Sequence, residues 1–231
     1  MKTYIEVKQL SKSYRKTPVL KNIDLQLEGS KIIGLVGPNG AGKSTFLKIL
    51  AGLLRDYEGE AKIKGEEVGL STKSKVAFLP DSQFIDRSWT GLDAAVFYND
   101  LYEDFSMAKA EELFHKMNVD FKIPFAYLSK GMRDKFQLAL TLAREADVYL
   151  FDEPLGGVDP ASLDFILESI LESYREDALF VIATHLIRDV ENILDEVVFL
   201  RDGEIYMHEN CDVLRERSGK TIDDLFREVY R

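Results

Sequence analysis

With 231 residues, 45% of them hydrophobic, the chain is long enough to bury a substantial core as one domain or two closely joined ones. Its formal net charge of −10 argues against broad binding to nucleic-acid backbones, which requires Lys and Arg side chains that neutralise phosphates. The single cysteine, Cys211, excludes an intramolecular disulfide and a cysteine-cluster metal site, so we expect a reducing cytosol as the compartment.

No stretch of the sequence predicts insertion into a membrane. The first ten residues include Lys2, Glu6 and Lys8, so they lack the apolar core of a signal peptide. The most apolar stretch, residues 178–183, is far shorter than the roughly 20 residues that span a bilayer. If the protein acts at a membrane, we expect another chain to cross it.

The N-terminal part of the chain predicts strands. In residues 4–8 and 23–28 apolar side chains alternate with polar ones, as in strands with one buried face, and we expect an antiparallel β subdomain here. Residues 58–65 predict a strand and a turn. Residues 76–80 predict a short apolar strand that ends at a proline.

A glycine-rich loop lies within this part. The stretch Gly37–Thr45, GPNGAGKST, matches the phosphate-binding pattern G-x-x-x-x-G-K-[ST] at every fixed position. A run of strand length, residues 31–36, precedes it, and a helix-compatible run, residues 45–50, follows it. Backbone N–H groups and the positive end of that helix would converge on a phosphate. The predicted nucleotide-binding residues of the loop are Gly37, Asn39, Gly40, Ala41, Gly42, Lys43, Ser44 and Thr45.

Helical signals replace strand signals over residues 81–146, which predicts an inserted helical subdomain. Ser106 is a candidate N-cap for a helix over residues 107–117, in which the apolar side chains share one face. A second helix is predicted over residues 133–144.

Strand signals return at residues 148–151, where four apolar residues are followed by two adjacent carboxylates, Asp152 and Glu153. Behind a phosphate-binding loop, one carboxylate of such a pair holds Mg²⁺ and the next can orient and deprotonate a water molecule. An ordinary solvated strand end is the alternative reading of the pair.

The remainder of the chain continues to alternate helices and strands. An amphipathic helix is predicted over residues 163–174, and the apolar residues 179–183 predict a parallel strand that is covered on both faces. Residues 197–200 and 204–206 are predicted to form a hairpin across an Asp-Gly dipeptide. This alternation predicts an α/β core with a mainly parallel sheet.

Together these motifs resemble those of the nucleotide-binding subunits of ABC transporters, and the resemblance covers nearly the whole chain. Leu128–Met132, LSKGM, is similar to the family's signature sequence LSGGQ, and it lies just before the carboxylate pair as in that family. Leu155–Asp159 resembles the D-loop, and Ala183–His185 resembles the switch-histidine region. Tyr14 matches the aromatic residue that stacks on adenine.

The resemblance implies an ATPase with ATP and Mg²⁺ as its cofactors. Lys43 would neutralise charge on the β- and γ-phosphates, while Ser44 and Asp152 would hold Mg²⁺. Glu153 would act as the general base on the attacking water, and His185 would contact the γ-phosphate. In isolation His185 is also compatible with an ordinary histidine at a strand end.

Two further residues are expected to act in the site of another subunit. In the family, the serine and glycine corresponding to Ser129 and Gly131 clasp the γ-phosphate that the opposite subunit binds. Ser129 is also a candidate N-cap of the helix that follows, and Asp159 is both a D-loop residue and a candidate cap before Pro160. The two roles are compatible at each position.

Several residues depart from the family pattern. Asp81 stands where the Q-loop glutamine is expected and could coordinate Mg²⁺ or its water, while the nearest glutamine is Gln83. Lys130 and Met132 replace a glycine and a glutamine of the signature, and Gly156 replaces a D-loop serine. We expect an intact site despite these changes.

The fold implied is α/β, of the P-loop NTPase type, with a mainly parallel core sheet, an N-terminal antiparallel β subdomain and an inserted α-helical subdomain. We expect a single ABC ATPase domain over residues 1–231. Residues 1–80 and 147–207 would form its catalytic core, residues 81–146 the insertion, and residues 208–231 a helical tail.

The implied partners are an integral membrane permease subunit and a second ATPase subunit, in a homodimer or a heterodimer. No nucleic acid and no direct membrane insertion are expected, and the subunit would be cytoplasmic, bound at the inner face of the cell membrane through the permease. Residues 221–226 resemble the C-terminal helix of exporter-type subunits. A non-transport ATPase of the same fold, acting on DNA or the ribosome, is the alternative. A small-molecule kinase would leave residues 128–132 and 183–185 unexplained.

Overall fold

The computed structural model describes residues 2–156 and 160–230. The strands within these residues are β1 (Thr3–Tyr14), β2 (Thr17–Glu28), β3 (Lys31–Val36), β4 (Glu58–Ile63), β5 (Glu66–Glu67), β6 (Val76–Leu79), β7 (Val148–Asp152), β8 (Leu179–Thr184), β9 (Glu196–Arg201) and β10 (Glu204–Asn210). The helices are α1 (Lys43–Leu50), α2 (Gly91–Leu101), α3 (Met107–Lys116), α4 (Lys130–Leu142), α5 (Pro160–Glu172), α6 (Ile187–Val190), α7 (Cys211–Ser218) and α8 (Ile222–Val229). None of these described helices is both long enough and apolar enough to cross a bilayer.

A six-stranded sheet in the order β10-β9-β3-β8-β7-β6 forms the centre of the fold. Its strands run parallel from β9 to β6, and β10 is antiparallel to β9. Every residue of β8 is buried, and its alternate side chains belong to two hydrophobic clusters, with Phe180 and Ile182 in one and Val181 and Ala183 in the other. The prediction of a parallel strand covered on both faces is therefore confirmed.

A second sheet, in the order β2-β1-β4-β5, is antiparallel throughout. The side chains of Ile5, Val7 and Leu10 on β1 are buried in the same cluster as Phe46 and Leu47 of α1. Helix α1 therefore packs against both sheets. This arrangement confirms the predicted antiparallel N-terminal part and fixes the helix that follows the glycine-rich loop.

The structure has three α-helices in the insertion, α2 to α4, whereas the sequence predicted two. Helix α3 matches the predicted range 107–117 to within one residue, and the Ser106 hydroxyl accepts a hydrogen bond from the N–H of Lys109, as expected of its N-cap. Helix α4 spans Lys130–Leu142, so the predicted range 133–144 was wrong at its start by three residues. The serine at position 129 caps α4, which places the N-terminal end of the helix inside the signature sequence.

Helix α2 was not predicted as an element, because its apolar residues do not fall on one face. Leu92, Val96 and Leu101 are each about half exposed, in contrast to the buried stripe that periodicity detects. A capping box marks its start: the Thr90 hydroxyl accepts from the N–H of Asp93, and the Asp93 carboxylate accepts from the N–H of Thr90.

The hairpin predicted near the C-terminus is confirmed. Asp202 and Gly203 form its two-residue turn with φ angles of 52° and 83°, as the preferred turns of two-residue hairpins require. Strand β10 continues to Asn210, three residues beyond the core boundary expected at residue 207. The Asn210 side chain then accepts hydrogen bonds from the first turn of α7 and begins the helical tail.

A buried arginine joins the helical insertion to the core. The Arg144 guanidinium donates to both carboxylate oxygens of Asp104, at 3.0 and 2.9 Å, and to the carbonyls of Val76 and Ser74, at 2.6 and 2.7 Å. It also lies 3.8 Å from the centroid of the Tyr102 ring. Arg144 is only 3% exposed, so a buried guanidinium with four hydrogen bonds holds the insertion at the edge strand β6.

Candidate functional site

Three neighbouring parallel strands bring the candidate site together. Strand β3 ends at Val36, before the glycine-rich loop, β7 ends at Asp152, and β8 ends at Thr184, before His185. Because β8 lies between β3 and β7, the carboxyl ends of all three meet at one edge of the sheet. Open α/β sheets bind their ligands at this edge.

The glycine-rich loop leads directly into the N-terminus of α1. Gly42 has a φ of 108°, and a Cβ atom there would lie 2.7 Å from the Leu20 side chain, so only glycine fits. As the N-cap of α1, Gly42 has no side chain to accept the N–H groups of the first turn. These groups and the positive end of the helix are therefore available to an anion.

The ammonium group of Lys43 lies inside the loop. Its Nζ donates to the carbonyls of Gly37 and Pro38, at 2.7 and 3.3 Å, and lies 3.2 Å from Glu153 Oε1. Lys43 is only 5% exposed. The charge is thus held in place by the loop's own carbonyls and by one carboxylate.

The Glu153 carboxylate connects the ends of all three strands. Its Oε1 faces Lys43, while its Oε2 lies 2.9 Å from His185 Nδ1 and accepts from the Thr184 hydroxyl at 3.1 Å. The Glu153 N–H donates to the carbonyl of Ala183 at 2.8 Å. The residue adopts a φ of 50°, a region that non-glycine residues seldom occupy and that often marks functional sites.

The charge state of Glu153 follows from these contacts. Burial alone would raise the pKa of the carboxyl group, but the hydrogen bond with His185 and the ammonium of Lys43 outweigh it and lower the pKa below its ordinary value. The carboxylate is therefore ionised at neutral pH. Because an ionised carboxylate only accepts hydrogen bonds, His185 Nδ1 carries the proton between them.

Asp152 and Ser44 form a second pair beside this cluster. The Ser44 hydroxyl donates to Asp152 Oδ1 at 2.9 Å, and Asp152 is only 2% exposed. Burial raises the pKa of Asp152 although the hydrogen bond from Ser44 opposes the change, and the charges of Asp81 and Glu153 raise it further. A nearby cation would relieve this destabilised charge. A hydroxyl and a carboxylate oxygen are ligands that a hard cation such as Mg²⁺ prefers, so these residues fit that ion.

A pocket of about 310 Å³ lies over the loop and the carboxylates of Asp81 and Glu153. Tyr14 forms part of its wall and is 45% exposed, and Lys12 Nζ lies 5.1 Å from the centroid of the Tyr14 ring. The lining residues are Tyr14, Val19, Asn39, Gly40, Gly42, Lys43, Ser44, Thr45, Asp81 and Glu153. The pocket therefore brings together Tyr14, the carboxylates of Asp81 and Glu153, and six of the eight predicted loop residues. Two other predicted site residues, Asp152 and His185, are not among its described lining residues.

The two signature residues lie elsewhere. Ser129 and Gly131 are at the N-terminus of α4 and are not among the described residues that line this pocket. The Ser129 hydroxyl accepts from the N–H of Met132 at 3.3 Å, so the capping role predicted for it is present. Within the described residues, a Cβ atom added to Gly131 would meet no atom within 4 Å. This part of the sequence therefore faces open space.

Other predicted residues separate into those near the pocket and those away from it. Asp81 lines the pocket, whereas Gln83 does not and its Oε1 lies 3.5 Å from Arg133 Nη1. Lys130 Nζ donates to the carbonyl of Gly156 at 3.3 Å. The remainder of the predicted D-loop, residues 157–159, including Asp159, lies outside the described residues.

Sequence reasoning missed two residues that support the site. The Thr184 hydroxyl donates to Glu153, and its position directly before His185 at the end of a buried strand was a usable signal. Lys12 is only 6% exposed and pairs with Asp56 at 3.0 Å beneath Tyr14. No sequence signal pairs residues 12 and 56, because a surface lysine is the usual expectation.

The opposite pKa shifts of the adjacent carboxylates predict opposite effects of their amide variants. Folding raises the pKa of Asp152, so its ionised form destabilises the folded state at a pH above that raised pKa. Folding lowers the pKa of Glu153, so its ionised form stabilises the folded state at a pH above the pKa of the unfolded chain. In nucleotide-free protein with EDTA at pH 7, we expect Asp152→Asn to raise the melting temperature by about 2–4 °C and Glu153→Gln to lower it by a similar amount. Differential scanning calorimetry measures both, and shifts of the same sign would contradict the assignment.

Comparisons with known proteins agree with this geometry. A family model described as ABC transporter matches residues 20–156. The ABC-type transporter ATP-binding protein EcsA of Bacillus subtilis (strain 168) is 28% identical over 239 residues, which cover 98% of this chain and 96% of EcsA. The name of this relative favours transport over the DNA-directed or ribosome-directed alternative.

Solved structures show the same fold. The structure of an ATP-binding subunit of an ABC transporter matches with a TM-score of 0.88 and 27% identity, over 99% of this chain and 100% of that one. A dimeric ATP-binding cassette in a post-hydrolysis state, bound to ADP and Pi, matches in fold with a TM-score of 0.80 and 21% identity, over 89% and 98% of the two chains. The family model covers more than half of the chain, and this protein therefore belongs to the ABC transporter family, as a subunit that binds and hydrolyses ATP.

Proposed function

We propose that this subunit works in a pair, with a second copy or a similar chain, and that the pair closes around two ATP molecules. The observation that carries the proposal is the Glu153 carboxylate held between Lys43 and His185 at one half of the site, while Ser129 and Gly131 stand apart at an exposed helix end. A serine and a glycine at a helix N-terminus suit a phosphate. In a head-to-tail pair, Ser129 and Gly131 would reach the phosphate of the nucleotide that the partner binds.

Within one chain we assign the chemistry to three side chains. Lys43 and the loop N–H groups neutralise the β- and γ-phosphates, and Glu153 accepts a proton from the attacking water as general base. His185 contacts the γ-phosphate through the nitrogen that it does not share with Glu153. The ion pair of Lys43 with Glu153 and the hydrogen bond of His185 with Glu153 keep these groups in place before ATP arrives.

We further propose that Ser44 and Asp152 hold Mg²⁺, which neutralises phosphate charge when it is bound. The buried Asp152 carboxylate and its hydroxyl partner support this role. In proteins Mg²⁺ commonly uses one or two carboxylates together with substrate phosphates. Asp81 lines the same pocket and is the stronger candidate than Gln83 for a further ligand of the ion or of its water.

Tyr14 is assigned to the adenine ring. Its side chain is half exposed at the wall of the phosphate pocket, and an exposed aromatic face offers stacking area to a purine. Lys12 Nζ lies 5.1 Å from the centroid of the Tyr14 ring, a distance at which a cation is attracted to an aromatic face.

The permease partner needs a docking surface, and we propose a groove between the insertion and the core. Its cavity volume is about 390 Å³, and it is lined by Leu53, Phe78, Phe84, Tyr98 and Tyr102, together with Lys48, Lys73 and Arg144. Leu53 and Phe84 are 55% and 37% exposed, which leaves apolar surface for a partner to cover. Arg144 is already paired with Asp104, so Lys48 and Lys73 are the cations of this lining that would attract acidic residues. We therefore propose an apolar cytoplasmic segment of the permease that carries acidic residues as the occupant.

The groove also has a path to the nucleotide site. Residues 80–84 form one wall of the groove through Pro80, Ser82 and Phe84, and Asp81 in the same segment lines the phosphate pocket. A partner bound in the groove would therefore shift with the nucleotide site, which is how closure could drive transport.

We place the subunit at the inner face of the cell membrane, attached through the permease, with no nucleic acid partner. Its acidic balance, with a net charge of −10, supports the absence of nucleic acid. The C-terminal helix α8, which begins at Ile222, lies in the tail that resembles that of exporter-type subunits, and export is the direction that we propose on this resemblance.

We expect Glu153→Gln to retain ATP binding and lose hydrolysis by at least about 100-fold, because the amide cannot accept the proton from water. With ATP and Mg²⁺ it should accumulate as a closed dimer. Steady-state ATPase assays and light scattering measure the two effects. Hydrolysis at the normal rate would remove Glu153 from the base role.

The docking proposal predicts that Leu53→Glu releases the subunit from native membranes. A buried carboxylate opposite an apolar segment costs binding free energy, whereas ATP binding in the separate phosphate pocket should be unchanged. The matched control is Leu70→Glu, because Leu70 is 75% exposed and does not line the groove. Sedimentation of membranes followed by immunoblotting measures the bound fraction. Recovery of the unmodified protein only in the soluble fraction would contradict the permease partner itself.

A further inference from the structure

The C-terminal helix packs directly against the strand that neighbours the phosphate loop. Ile222 at its start is fully buried. The rings of Phe226 and Tyr230 lie 4.5 Å apart, and both contact Phe199 of β9, with centroid distances of 6.5 and 6.3 Å. The tail is thus part of the core, and its last described residue reaches the edge of the sheet at which the site forms.

The Tyr230 hydroxyl lies where β3 and β9 end. Its oxygen is 2.9 Å from the carbonyl oxygen of Leu200 and 3.3 Å from that of Val36. A phenol has one proton to donate, so the shorter contact to Leu200 is its main hydrogen bond and Val36 shares it. Burial raises the pKa of Tyr230, which keeps the hydroxyl protonated and therefore a donor at neutral pH.

These carbonyls adjoin the first residue of the phosphate loop. Val36 directly precedes Gly37, and a Cβ atom on Gly37 would lie only 2.5 Å from the Leu200 carbonyl oxygen. The backbone of Gly37 therefore packs against the carbonyl group that Tyr230 holds. Phosphate binding depends on loop N–H groups that are positioned to within about half an ångström.

We propose that Tyr230 is a positioning residue of the nucleotide site: its hydroxyl fixes the ends of β3 and β9, and through them the start of the phosphate loop. Docking of the C-terminal helix thereby sets the affinity for nucleotide. This inference rests on the proposed function for its effect on ATP, but the contact with the loop is a property of the chain alone.

The test is Tyr230→Phe, which keeps the ring contacts with Phe199 and removes the hydroxyl. The matched control is Tyr149→Phe, since the Tyr149 hydroxyl also donates from a buried position to a backbone carbonyl, that of Arg144, away from the loop. We expect the Kd for ATP to rise about twofold to tenfold in Tyr230→Phe, with kcat at saturating ATP unchanged, and to stay within the error of the native value in Tyr149→Phe. An unchanged Kd in Tyr230→Phe, or an equal rise in the control, would overturn the proposal.

Hydrogen–deuterium exchange of nucleotide-free protein separates this inference from the proposed function. Peptides that cover residues 33–42 should exchange faster in Tyr230→Phe than in the native protein or in Tyr149→Phe. If the native protein bound no ATP, the proposed function would fail. The exchange rates of residues 33–42 would still test whether the Tyr230 hydroxyl positions the loop. Equal exchange in all three proteins would show that the hydroxyl only attaches the tail.

Discussion

The interaction on which the site depends is the placement of one carboxylate between two strand ends and a loop. Glu153 follows β7, contacts Thr184 and His185 at the end of β8, and contacts Lys43 of the phosphate loop after β3. Its backbone adopts a left-handed conformation to do so. Burial would raise the pKa of Glu153, but the hydrogen bond with His185 and the charge of Lys43 outweigh it, so the carboxylate that we propose as the general base is kept ionised at neutral pH.

In the pair of subunits that we propose, this arrangement is half of a working site. The loop, Asp81 and Glu153 line one pocket and His185 contacts Glu153 beside it, while Ser129 and Gly131 lie at a helix N-terminus that faces open space. The proposed pair would act as a switch, because ATP would favour the closed pair and hydrolysis would remove the phosphate that joins the two halves. The docking groove that we propose lies beside Asp81 and would connect this switch to a membrane partner.

Local sequence patterns predicted the parts of the fold that depend on local physics. Three features could be predicted because each reflects periodicity or a backbone preference. They are the alternation in β1 and β2, the continuous burial of β8 and the Asp-Gly turn at position 202. Helix α2 was not predicted, because its partly exposed apolar residues do not form a one-sided pattern. The contacts of Tyr230 with residues 36 and 200 were unpredictable for a different reason, as they join segments that only the tertiary fold brings together.

The most direct test of a site shared by two chains is Ser129→Arg, compared with Ser106→Arg. Both serines cap a helix through a hydroxyl that accepts a backbone N–H, so both variants lose the same local interaction. The shared site predicts that Ser129→Arg binds ATP normally but loses hydrolysis, whereas Ser106→Arg keeps both. If Ser129→Arg weakened binding and hydrolysis equally, or hydrolysed ATP at the native rate, the site would not be shared.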